Sequence, residues 1–162
     1  MNGWPRNGAG YGRVSEASIA GVRITPLRRI ATSGGDVLHA LKSSDSEFAG
    51  FGEAYFSTVD SGAIKGWKRH RTMLMNLVVP AGAVRFVLFD DRPNMPETFL
   101  AVDLSPDSAD SYVRLTVPPG VWMAFTGTGP GLNLVLNLAS IPHDPAEADN
   151  KPLDAIAWSW SD

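Results

Sequence analysis

The densest group of chemically able side chains in the chain is Lys65-Gly66-Trp67-Lys68-Arg69-His70-Arg71. His70 is best suited to moving a proton, because an imidazole changes charge near neutral pH without help from its surroundings. Lys68 can act as a base only if burial or neighbouring cations lower its pKa, and Lys65, Arg69 and Arg71 supply such neighbours. His70 and Lys68 are the candidate catalytic pair, the side chains of this run able to take up or hand on a proton. Lys65, Arg69 and Arg71 are candidates for gripping a pyrophosphate, since guanidinium groups bind phosphate oxygens bidentately. The competing reading of the same run is an exposed edge strand guarded by charge.

Aromatic residues offer walls for a flat base or a sugar ring, and Trp67, Trp122 and Phe56 are the candidates; core packing is the alternative for each. Asn76 and Asn137 lie in otherwise apolar runs and are costly to bury alone, so each is either paired inside the protein or presented to a ligand. Arg92 can pair with Asp90 or contact a ligand.

Positioning these groups falls to strands. Short β-favouring runs, among them Val22 to Ile24, Val37 to Leu41, Glu53 to Val59, Met73 to Val79, Val84 to Phe89, Phe99 to Leu104, Tyr112 to Val117, Val121 to Thr126 and Leu132 to Leu138, are separated by Gly, Pro, Asp or Ser. Ala83 to Phe89 and Ser111 to Val117 alternate at period two, as strands with one face on a core do. No long amphipathic helix is found, so the pattern predicts an all-β sandwich or closed barrel. Alternation in the Lys65 to Arg71 strand puts Gly66, Lys68 and His70 on one face and Trp67, Arg69 and Arg71 on the other; the expectation is that Lys68 and His70 face the interior. The tail, Ile156 to Trp160, reads as a strand or docked extended segment that buries two tryptophans.

At 162 residues the chain fits a single domain, able to bury roughly two-thirds of its unfolded surface. Residues 1–20, rich in Gly, Ser and Asn, read as a flexible arm offering a strand to a partner subunit, with one domain at 21–162. A net charge of −3 argues against a general nucleic-acid binder. The chain has no cysteine, which suits a reducing cytoplasm, and no apolar leader stretch at Met1 to Tyr11. No window approaches the ~20 apolar residues of a membrane span, so no membrane partner is expected.

Several motifs occur in a fixed order. Val79-Pro80-Ala81-Gly82-Ala83-Val84 leads into Asp90-Asp91-Arg92 and Pro96-Glu97-Thr98-Phe99, followed by Val102-Asp103-Leu104-Ser105 and by Val117-Pro118-Pro119-Gly120-Val121-Trp122-Met123-Ala124-Phe125. Upstream stands Ile64-Lys65-Gly66-Trp67-Lys68. From Gly52 to Trp158 this succession resembles the dTDP-4-dehydrorhamnose 3,5-epimerases, with their G-x-V strand, D-x-R, S-P-T-F, V-x-L-S, I-P-x-G-F-A-H-G-F and L-R-G-L-H segments. His70, twelve residues before Gly82, also resembles the H-x-H-K segment of the dTDP-sugar 3,4-ketoisomerases.

The resemblance implies a double-stranded β-helix, the cupin or jelly-roll barrel, acting without a cofactor on a nucleotide-linked 4-keto-6-deoxysugar in cell-surface polysaccharide synthesis, as a homodimer. It also marks three departures: Lys68 stands at the family's basic histidine, Asn137 at its acidic tyrosine and Met123 at the histidine of A-H-G-F. A non-catalytic cupin that binds a sugar or nucleotide sugar is therefore the alternative. A metal-binding cupin needs histidines at the Lys68 and Met123 positions, and the chain has only His39, His70 and His143, so no metal is expected.

Overall fold

The computed structural model describes residues 15–161, and the alternating runs become strands in the order β1 (Ser15–Glu16), β2 (Arg23–Pro26), β3 (Arg29–Thr32), β4 (Gly35–Leu38), β5 (Glu53–Thr58), β6 (Ile64–His70), β7 (Met75–Ala81), β8 (Val84–Asp90), β9 (Thr98–Leu104), β10 (Val113–Val117), β11 (Trp122–Gly127), β12 (Leu134–Ala139) and β13 (Ala148–Asn150). One antiparallel sheet runs β1-β2-β10-β7-β12-β5, the other β13-β6-β11-β8-β9, and β3 and β4 form a separate hairpin. Chain neighbours β5 and β6, β7 and β8, β10 and β11, and β11 and β12 lie in opposite sheets. These crossings make a jelly-roll barrel, the all-β cupin architecture read from the sequence. Among the described residues no helix is long and apolar enough to cross a membrane.

The inward faces of the two sheets meet in the main core, where Met75, Leu77 and Val79 from β7, Val84, Phe86 and Leu88 from β8, and Leu115 and Val117 from β10 are buried. At the β7 to β8 crossing Gly82 takes φ +78, and a Cβ there would lie 2.2 Å from the Leu132 carbonyl oxygen. Only glycine fits that corner.

Two outer faces are also covered, which the alternation in sequence does not show. Val87 and Phe89, on the outward side of β8, pack with Trp67, Trp122, Ala124 and Ile156, and Trp158 and Trp160 of the tail close over them. The tail is a docked segment held by side chains rather than by a ladder. On the other sheet, Arg114 is 1% exposed beneath the segment after β4, where its guanidinium meets the Ala40 carbonyl, Asp45 and Glu47. Its polar position in β10 thus faces a covering loop instead of water.

Of the boundaries that differ from the sequence reading, three have a visible cause. The strand expected at Val37 to Leu41 ends at Leu38, because the chain then leaves the β3-β4 hairpin to cover Arg114. The strand expected from Met73 starts at Met75, since the Thr72 and Met73 amides are taken by the Glu147 carboxylate. Residues 1–14 of the expected arm lie outside the described residues; beyond them, Ser15–Glu16 pairs with β2 and Ile19 is 1% exposed. The last part of the arm therefore belongs to the folded unit.

Candidate functional site

A cavity of about 220 Å³ opens between the two sheets. Its floor is buried and carries His70, Met75, Leu77, Val135 and Asn137, while the exposed lining residues Tyr55, Lys65, Gly66 and Asn150 mark its mouth. Lys68, Met123 and Phe125 line the wall between.

Alternation accounts for Lys68 and His70 sharing the interior face of β6. Lys65 is three residues from Lys68 and would point outward in a regular strand. It lines the cavity because β6 carries a β-bulge: Met123 pairs with Lys68 and Phe125 with Lys65, so Gly66 and Trp67 together oppose Ala124 alone. The extra residue restores Lys65 to the Lys68 side while Trp67 turns outward. The Lys65 ammonium lies 6.0 Å from the centre of the Phe125 ring.

His70 is 4% exposed, and its Nδ1 lies 2.7 Å from Oε2 of Glu147, itself 9% exposed. The other oxygen, Oε1, accepts from the backbone amides of Thr72 and Met73, both at 2.8 Å. Burial alone would push the Glu147 carboxyl up, but the bonds from His70, Met73 and Thr72 outweigh it and hold the group at about 2. The Glu147 carboxylate accepts the hydrogen of Nδ1, so in the neutral tautomer that fits this bond the electron pair is on Nε2.

Glu147 reaches this position on a short strap. A 3-10 turn over Pro145–Glu147, capped by the Asp144 side chain, leads into β13, whose Ala148 and Asn150 pair with His70 and Lys68. Asp149, on the opposite face, binds Arg69 at 3.0 Å and Arg71 at 2.5 Å. These ion pairs fasten the strap to β6.

On the facing sheet, Asn137 of β12 is directly opposite Tyr55 of β5. Its Nδ2 donates to the Tyr55 hydroxyl at 2.8 Å, and among the described residues its buried Oδ1 has no partner.

Of the residues singled out in the sequence, His70, Lys68, Lys65 and Asn137 meet at this cavity. The others lie outside it in this chain. Trp67 and Trp122 belong to the second core, with their indole N–H groups donating to the Leu153 carbonyl and to Asp91. Arg69, on the outward face of β6, and Arg71, just past its end, are bound to Asp149, and the Arg69 guanidinium sits 4.4 Å from the Trp122 ring centre. Asn76 is paired on the outer face of its sheet, accepting from Thr116 and donating to the Glu47 carbonyl. Phe56 is 63% exposed on the outer side of β5, and Arg92 pairs with Asp90 and the Ala20 carbonyl. Sequence reasoning missed Glu147, Tyr55 and Asn150. The only signal for Tyr55 is its inward phase in the alternating run Glu53 to Val59.

Among the described residues no three His, Cys, Asp or Glu side chains converge as a metal site. The polar side chains lining the cavity carry an imidazole, two ammonium groups, two amides, a phenol and a serine hydroxyl, a set suited to proton transfer and anion binding.

No protein-family model matches the chain, and no curated protein does. Among solved structures it is similar to a dTDP sugar isomerase from Desulfovibrio desulfuricans G20, at 39% identity and a TM-score of 0.83, over 88% of this chain and 92% of that one. It shares its fold with a dTDP-4-dehydrorhamnose 3,5-epimerase from Sulfolobus tokodaii, at 18% identity and a TM-score of 0.77, over 93% and 88% of the two chains. A sugar 3,4-ketoisomerase from Thermoanaerobacterium thermosaccharolyticum, crystallised with TDP, also has this fold, at 22% identity and a TM-score of 0.67 over 82% and 90%.

Proposed function

Because the chain belongs to the family of dTDP-4-dehydrorhamnose 3,5-epimerases and related dTDP-sugar isomerases, we propose that it moves a proton at a carbon beside the ketone of a nucleotide-linked 4-keto-6-deoxysugar. The observation that carries this reading is the His70 imidazole, oriented by a buried, ionised Glu147 and lining the cavity floor. A hydrogen on carbon next to a ketone is acidic enough for a positioned imidazole to remove, and fixing the tautomer keeps its electron pair on the substrate side.

In this reading His70 is the base. Lys68, where the sequence resemblance puts the family's histidine, and Lys65 hold the anionic part of the ligand near the mouth. The cavity, about 220 Å³, is smaller than the roughly 300–1,000 Å³ that encloses a drug-sized ligand, which suits one sugar ring inside and the nucleotide at the entrance. The apolar floor of Met75, Leu77 and Val135 excludes water from a reactive enolate.

The proposal extends to a cytoplasmic homodimer serving cell-surface polysaccharide synthesis, as the sequence resemblance implies. The dimer has support in β5, which ends its sheet and exposes Phe56 at 63%, with Phe51 just before the strand at 66%. An apolar edge of that kind is a pairing hazard unless covered.

A second reading, a binder without chemistry, is favoured by Lys68, Asn137 and Met123 lining the cavity at three positions where the resemblance puts reactive side chains. Incubation with dTDP-4-keto-6-deoxyglucose in deuterated water separates the two. Deuterium on carbon beside the ketone is the expected result; tight binding with no incorporation would establish the binder instead.

A further inference from the structure

We propose that Tyr55 is the catalytic hydrogen donor to the ketone oxygen and that Asn137 sets its direction, an inference that rests on the ketosugar chemistry proposed above. Tyr55 and Asn137 are a cross-strand pair on the inward side of β5 and β12. They stand on the sheet opposite the one that carries His70. The base and this pair therefore approach a bound ring from different walls.

The hydrogen bond between the two residues determines what each can offer. Asn137 Nδ2 donates to the Tyr55 oxygen at 2.8 Å. A phenol that accepts in this way keeps its own hydrogen for another acceptor, and among the described residues no protein group takes it. Asn137 is 3% exposed and its Oδ1 is a buried acceptor with no protein partner. Such an atom is costly to leave alone. One donor and one acceptor thus stand side by side on the cavity wall. That pairing is complementary to an α-hydroxyketone, in which a carbonyl oxygen takes the phenol hydrogen and the neighbouring hydroxyl donates to Asn137.

The step balances without a further reactant. His70 Nε2 takes the proton from the carbon beside the ketone, the C–H electron pair becomes the C=C bond, and the carbonyl π pair moves to oxygen, which receives the Tyr55 hydrogen. Return of the proton from His70 to the same carbon, and of the enol hydrogen to Tyr55, restores the ketone and both side chains. Return instead to the former carbonyl carbon moves the ketone by one position: that carbon's oxygen keeps the hydrogen received from Tyr55, and the neighbouring hydroxyl gives its proton to the Tyr55 phenolate as its own C–O bond becomes C=O.

The test compares wild type with Tyr55→Phe and Asn137→Asp for deuterium incorporation into dTDP-4-keto-6-deoxyglucose, alongside calorimetric binding of the same compound. Tyr55→Phe keeps the ring and loses the hydrogen; Asn137→Asp gives the phenol a carboxylate to bond and so diverts that hydrogen from the ligand. Both should lower the turnover rate by about 100-fold or more, the scale for losing one donor to a developing oxyanion, with the dissociation constant within about threefold of wild type. Tyr55→Phe turning over within threefold of an active wild type would overturn the role of Tyr55 and leave the proposed function standing. Loss of binding in step with turnover would also overturn it, since Tyr55 would then be only a binding contact. A wild type that incorporates no deuterium would overturn the function itself, and this inference with it.

Discussion

Glu147 Oε2 and His70 Nδ1 lie 2.7 Å apart beneath the cavity floor, and the same carboxylate ties down the amides of Thr72 and Met73 where β6 ends. A single buried charge therefore orients the imidazole and stitches the C-terminal strap to the barrel. Chemistry and stability are coupled at this residue.

Glu147→Gln separates the two. The amide oxygen still accepts from the backbone, but its NH₂ now faces Nδ1, so the neutral ring carries its hydrogen on Nε2 and loses the electron pair the reaction needs. The deuterium-incorporation rate should fall about 100- to 10,000-fold, the range for general-base catalysis. Stability, measured by urea unfolding at pH 7, should fall by about 1–3 kcal/mol, since the charged hydrogen bonds weaken without disappearing.

Acid should unfold the protein partly through this group. The folded carboxyl is held at about 2 against an ordinary 4.5, so the unfolded chain binds the proton more readily. The stabilisation is present in full above 4.5 and is lost as pH falls from there towards 2. At 1.36 kcal/mol per unit the loss is of the order of 3 kcal/mol. Urea midpoints at pH 6 and pH 3 should drop much more for wild type than for Glu147→Gln. Asp45, Asp90 and Asp149 are also held low and contribute to both proteins, so the difference between the two isolates Glu147.

Anion binding should follow the cavity rather than the count of basic residues. Lys65→Met and Lys68→Met are each expected to weaken dTDP binding about tenfold, the equivalent of about 1.4 kcal/mol for a charged hydrogen bond. Arg71→Ala should leave the calorimetric affinity for dTDP unchanged, because Arg71 is spent on Asp149 on the far side of the strand. Equal losses for all three variants would contradict this division.

Trp67 stabilises the fold rather than recognising a ligand. It is 1% exposed, with Trp160 at 6.1 Å between ring centres. Trp67→Ala should cost about 3–5 kcal/mol in unfolding experiments, as large-to-small changes in a packed core do.

Period-two alternation made the strands and the inward phase of Lys68 and His70 legible in the sequence, because that rule is local. The same rule would send Lys65 outward; it faces the cavity because a bulge adds one residue to β6, and nothing in the run itself announces that. Glu147 was invisible for a different reason: it stands 77 residues from His70 and meets it only after the strap folds back. The choice between ligand wall and core for Trp67 and Trp122 stayed open in the sequence, and the cover over Arg114 was not visible there, since which faces of a sheet stay wet depends on where the tail and the segment after β4 come to rest. Local patterns reveal direction along a strand, whereas coverage is a long-range outcome.

The surplus residue in β6 lets two lysines three positions apart share one wall. Deleting Gly66 would remove the bulge, leave Trp67 alone opposite Ala124 and bring Lys65 and Lys68 two positions apart, so both ammonium groups would still face the cavity. The doubly cationic entrance therefore tolerates the loss of one amino acid at this point, whereas a regular strand that kept every residue of β6 would turn Lys65 to solvent.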